Sequence, residues 1–199
     1  MRSGLIPAAL LGVVILLTSG TGHAAGLPAA DSASLVVNEV APEGPGGELD
    51  EFLELRNLGD RPVNIGGWRL YACQAPGPPT LVLTLPAGTV ISGIGGPGQY
   101  LLLAGEDYRG RDFSGPQTPD LWLDVDIPAD GGWRIADMSG KPVDGFGLRD
   151  GSACTEHTPA AACDWSDHKS GSRNRELPDG DNNREDFSCR AATPTNSLG

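Results

Sequence analysis

The chain has 199 residues, of which 26 are acidic and 14 basic, for a net charge of −12 near neutral pH. A negative surplus of this size repels polyphosphate and anionic lipid, which argues against nucleic acid as a partner. Its 29 glycines and 17 prolines suit short strands and tight turns rather than long helices.

In chain order, Arg2 precedes an apolar run from Leu5 to Leu17 and then the small residues of "TSGTGHAAG". This pattern predicts a secretory signal peptide over 1–25, cleaved after Ala24 or Ala25. The run is short for a bilayer span of about 20 residues, and no later stretch is long and apolar enough, so no transmembrane segment is expected after cleavage. The remaining chain is expected as a linker (26–33), one domain (34–190) with a loop insertion at about 148–181, and a tail (191–199). The expected address is secreted, extracellular or cell-envelope associated.

"LVVNEVA" (35–41), "EFLELRN" (51–57), "WRLYAC" (68–73), "TLVLTL" (80–85), "QYLLLAG" (99–105) and "WRIAD" (133–137) are short apolar or alternating runs. They predict strands, and the "PEGPGG", "NLGD", "APGPP" and "GIGGPG" segments between them predict turns. Many short strands punctuated in this way argue for an all-β sandwich or barrel. After Gly147 the sequence turns polar and cysteine-bounded, which predicts a long loop; long loops in compact domains carry function or are mobile.

"DEFLE" (50–54) concentrates three carboxylates in five positions. With a period of two, Glu51, Leu53, Leu55 and Asn57 share one face and Phe52, Glu54 and Arg56 the other, so Glu51 and Glu54 point apart. That is poor geometry for an acid/base pair, which needs two carboxyls about 5–10 Å apart across a sugar. Glu39 approaches one of them if the first two strands are neighbours.

The stretch "NEVAPEGPGGELDEFLELRNLGDRPVNIGGWRLY" resembles the opening of the lamin tail domain, a module that also occurs in exported bacterial proteins. The matching elements are Asn38 and Glu39; Asp50, Glu51, Phe52, Glu54, Leu55 and Asn57; and Gly67, Trp68 and Leu70. "WRIADMSGKPVDGFG" resembles that family's hairpin, and "DGDNNREDF" its closing turn and last strand. The likeness covers roughly 34–188 and departs from the family in the cysteines and the 148–178 insertion. It implies an immunoglobulin-like β-sandwich acting as a non-catalytic interaction module, with Asn38, Glu39, Glu51, Glu54 and Asn57 as sheet positions rather than a catalytic set. It transfers no ligand.

Cys73, Cys154, Cys163 and Cys189 form an even set, which in an exported chain predicts two disulfides. Three connectivities are open; the short local loop favours Cys154–Cys163, leaving Cys73–Cys189. Cys154, His157, Cys163 and His168 also have residue types that tetrahedral zinc uses, but their spacing is irregular and exported thiols are usually oxidised. Asp179, Asp181 and Asn183 occupy the first positions of an EF-hand-like loop and are weak calcium candidates, since Arg184 replaces its glycine and Arg190 its glutamate. No metal or cofactor is expected. His157 and His168 are the histidines left for base catalysis, and Asp167 is adjacent to His168 in sequence rather than assembled across space, as a triad is. Trp122 and Trp133 are expected in the core, whereas Trp165, flanked by Asp164 and Asp167, is the candidate exposed aromatic. The binding surface is therefore expected on the loop, with Trp165, Asp164, Asp167 and His168 meeting an extracellular or envelope protein or polymer. A secreted hydrolase and a calcium-stabilised structural domain are the alternatives.

Overall fold

The computed structural model describes residues 34–74, 77–125, 129–174 and 178–199; the expected signal peptide and linker lie outside the described residues. The alternating runs form β1 (Leu35–Ala41), β2 (Phe52–Asn57), β3 (Val63–Asn64), β4 (Arg69–Cys73), β5 (Thr80–Thr84), β6 (Val90–Ile91) and β7 (Tyr100–Ala104). They continue as β8 (Leu121–Trp122), β9 (Gly132–Ala136), β10 (Pro142–Gly147), β11 (Lys169–Arg173) and β12 (Phe187–Ala191). The described helical turns include 3-10 turns at Gly110–Phe113 and Trp165–Asp167 and one α-helical turn, α1 (Asn183–Asp186). The insertion expected to be one loop thus contains a strand, β11, which enters the main sheet.

Six strands form one sheet in the order β12-β11-β1-β2-β7-β8, four form a second in the order β10-β9-β4-β5, and β3 pairs with β6. All pairings between these strands are antiparallel except β7 with β8. The inward positions of the first sheet, among them Val37, Leu53, Leu55, Leu101 and Leu103, pack on Leu70, Trp133, Ile135 and Phe146 of the second. Burying both apolar faces makes this an all-β sandwich. The period-two reading of β2 holds: Leu53 and Leu55 face the main core, while Phe52 and Glu54 face outward. Outward does not mean exposed, because Phe52 joins Ala41, Leu102, Ala104, Tyr108, Phe113 and Ala192 in a second, smaller apolar cluster.

Trp133 is buried, as the sequence predicts, and so is Trp68. Trp122 is not: it lies on the two-residue edge strand β8 and is 52% exposed. Trp165 departs in the opposite sense. It is only 6% exposed and belongs to the main core, together with Ala160 and Phe187. The 3-10 turn that carries it ends at His168 in a left-handed conformation; its indole is buried while Asp164 and Asp167 stay at the surface.

The disulfides also differ from the expected pairing. They join Cys73 to Cys154 and Cys163 to Cys189, not Cys154 to Cys163. After β10 the chain folds back tightly against that strand, and at Gly147 an added methyl would meet Thr155 Oγ1 at 2.1 Å. This brings Cys154 to the end of β4, while Cys163 lies beside β12 and is left to meet Cys189. With all four cysteines oxidised, the zinc set of Cys154, His157, Cys163 and His168 does not exist as thiolates.

Candidate functional site

Two groups of carboxylates converge on β1, one on each side of an irregularity at Asn38. There the β1–β2 register shifts between Val37 and Glu39. The described ladder of β1 with β11 covers only Glu39 and Val40, so Val37 has no strand partner on that side.

A buried ion pair fills this gap. Asp144 of β10 accepts the Val37 N–H at 2.5 Å, and Arg173 of β11 donates Nε to the Val37 carbonyl at 2.8 Å. The two are joined to each other at 2.6 Å, with side-chain exposures of 0% and 3%. Since β10 and β11 belong to opposite sheets, the pair completes the ladder and ties the two layers together. Arg173 also donates to Asp179 at 2.8 Å, approaches Asp186 at 3.5 Å, and stacks over the Phe187 ring at 4.6 Å. Such a charge is tolerated in a core because each guanidinium nitrogen has an acceptor.

Asp144, Glu156 and Asp179 have carboxylate oxygens within 4.8 Å of one another. Burial, followed by the charge and hydrogen bond of Asp144, pushes the Glu156 carboxyl up to about 9. Burial also raises Asp144, against the opposing pull of Arg173. Asp144 accepts N–H bonds from Val37, Gly145 and Arg173, so the proton of the pair resides on Glu156. Asn183 holds Glu156 in place, donating to its Oε2 at 3.1 Å and to the Gly145 carbonyl at 2.9 Å.

The folded chain binds this proton more tightly than an unfolded glutamate, whose pKa is 4.5. The stability linked to Glu156 is therefore complete below about pH 4.5 and is lost as pH rises toward about 9. Glu156→Gln keeps a hydrogen-bond donor without the titration. Its melting temperature is expected to fall less steeply than the wild type's between pH 6 and pH 9. Parallel melting profiles would contradict this assignment of the proton.

The second group occupies the outer face. Glu39 and Glu54 are cross-strand partners and each is 1% exposed. Facing carboxylates repel, and the C-terminal segment supplies donors to offset this. Thr193 N–H reaches Glu39 at 2.7 Å, Thr195 N–H reaches Glu54 at 2.6 Å, and Ser197 N–H reaches Asp120 at 2.9 Å. The Thr193 hydroxyl adds a bond to Glu39 at 3.1 Å and the Ser197 hydroxyl one to Asp120 at 2.5 Å. Asn38 donates to Glu54, and Ser170 to Glu39 at 2.6 Å. The donors recur at every second residue, as in an extended chain, and their acceptors lie on β1, on β2 and just before β8. Leaving β12 at one edge, the segment crosses the sheet face to the opposite edge strand. Stretch 191–199, expected as a tail, is thus part of the fold. Ala192 and Pro194 are buried beneath it, and an added methyl at Gly115 would meet Pro194 Cγ at 2.6 Å and Tyr108 Oη at 3.2 Å.

Asp50 and Asn57 of the 50–57 motif hold loops. Asp50 accepts from Gly46 at 2.8 Å and Arg109 at 2.9 Å, and Asn57 ties Gly59, Arg61 and Ser92. Burial raises the Asp50 pKa.

The residues expected to bind or ligate are placed apart. Asp167 pairs with Lys169 at 2.7 Å, which lowers its pKa by hydrogen bonding and charge, while His168 Nδ1 contacts the Asp112 carbonyl. Asp164 is exposed and accepts from Ser166 at 2.8 Å. Of the calcium candidates, Asp179 faces Arg173, Asn183 accepts from Gly147 and Glu156, and Asp181 is exposed, donating its N–H to Asp179 at 3.3 Å. Asp179 thus faces a cation of the chain itself, Arg173. Asp120, Asp144, Glu156, Arg173 and Asp186 were not expected from the sequence. Asp144 carries a readable signal, since it shares a strand face with Phe146 in "VDGFG".

The fold and site define a disulfide-linked β-sandwich whose sheet face holds an extended polypeptide segment through carboxylates. A scan of protein-family models and a search of curated proteins found no match to the chain.

Proposed function

We propose that this is an exported, non-catalytic interaction module that binds an extracellular or cell-envelope partner. The observation that carries the reading is the row of N–H bonds from Thr193, Thr195 and Ser197 to Glu39, Glu54 and Asp120. It is a means of recognising extended backbone at a sheet face without using a sheet edge. The two disulfides support an oxidising compartment, and the Arg2-led apolar run supports export. The likeness to the lamin tail domain, and with it an immunoglobulin-like topology, belongs to the same proposal. Its support is that Asn38, Glu39, Asp50, Glu54 and Asn57 are all used to hold the sheet, its loops and the segment across it.

The test is to immobilise the purified secreted chain and present exported proteins and envelope polymers from its source. Saturable retention without consumption of the retained material is expected. Turnover of a retained polymer that is abolished in His168→Ala would replace this reading with the hydrolase.

A further inference from the structure

We infer that the groove lined by Glu39, Glu54 and Asp120 is an exchangeable receptor for the segment 192–198, and that a second copy of this chain can supply that segment. This narrows the proposed binding role to one partner and rests on that role.

Three features of the groove point this way. Its contacts read a defined chemistry: N–H groups at alternate residues, a hydroxyl beside two of them, and small apolar residues at 192 and 194. The matching sequence, "ATPTNS" (192–197), is carried by every copy of the chain. Second, beyond the Ala192 N–H bond to the His168 carbonyl the segment is held by side chains and small packing contacts, all past Cys189, so the last disulfide does not prevent its release. Third, its root is open. Arg190 and Ala191 are exposed, and a cleft of about 270 Å³ lined by Asn38, Glu39, Ser172, Arg173, Arg190 and Thr193 lies beneath it. Exchange of an identical segment keeps the same bonds in the new location, which makes it a low-cost route to association. The tethered segment has a high effective concentration and keeps dilute chains closed.

The test uses two full-length variants. Thr193→Pro/Thr195→Pro deletes two of the three alternating N–H donors while suiting an extended backbone, leaving a groove its own tail cannot fill. Glu54→Met removes an acceptor but keeps an intact tail. Each alone is expected to be monomeric in sedimentation, and their mixture to form a heterodimer. A synthetic peptide of residues 192–199 is expected to bind the proline variant at least about tenfold more tightly than wild type, whose own tail competes. If Glu54→Met does not fold, excess wild-type chain replaces it; if the double proline variant does not fold, Thr195→Pro alone serves. Peptide binding without a heterodimer would overturn the second copy as the partner. Failure of both with folded variants would overturn the receptor itself. Neither result depends on whether the chain retains an envelope component, which tests the broader reading separately.

Discussion

Arg173→Met is expected to cost about 3–5 kcal/mol of folding stability, the usual penalty for removing one partner of a buried ion pair. Methionine fills much of the arginine volume, so the loss is electrostatic rather than a cavity effect. Without the guanidinium, Asp144 loses its buried cation and Asp186 its 3.5 Å neighbour, while the Val37 carbonyl loses its donor. Burial raises the pKa values of Asp144 and Asp186, so lowering the pH neutralises what the arginine no longer compensates. Urea denaturation of variant and wild type at pH 5 and pH 8 is expected to show a smaller deficit at pH 5. A deficit below about 1 kcal/mol, as for an exposed pair, or an equal one at both pH values, would contradict the role assigned to Arg173.

Replacing Cys73 and Cys154 together by alanine is expected to cost about 4.5 kcal/mol, and replacing Cys163 and Cys189 about 3.5 kcal/mol, by the chain-entropy relation. The order follows from sequence separations of 81 and 26. Thermal or denaturant unfolding of the two double variants measures the difference. Non-reducing peptide mapping is expected to recover Cys73 with Cys154 and Cys163 with Cys189. Recovery of Cys154 joined to Cys163 would overturn the observed folding-back of the chain after β10.

The strands were legible because alternation and turn chemistry are local properties: β1, β2, β4, β5, β7 and β9 follow directly from short apolar runs between Gly- and Pro-rich segments. β11 was not, since "KSGSR" has no apolar pattern and is a strand because β1 and β12 pair with it. Trp165 was misread for a related reason. Flanking aspartates suggest exposure, but in a 3-10 turn neighbouring side chains point different ways, and Trp165 packs in the main core while the aspartates face out. The disulfides depended on where a polar segment folds back, which spacing does not encode. The motif carboxylates Glu39 and Glu54 find donors at 193 and 195, the latter more than 140 residues away from Glu54. Only three-dimensional proximity connects them. Asp144 was missed because a charge in a strand-like run reads as solvent-facing until its partner is known, and Arg173 because its strand has no apolar pattern to mark it.

Amide hydrogen exchange along the C-terminal segment tests most directly whether the acidic motif holds an extended chain. Thr193, Thr195 and Ser197 are expected to be protected, with Asn196 between them exchanging much faster, and Glu54→Gln is expected to reduce protection first at Thr195. Exchange of all three at the rate of an unstructured peptide would contradict the carboxylate clamp and the binding role built on it.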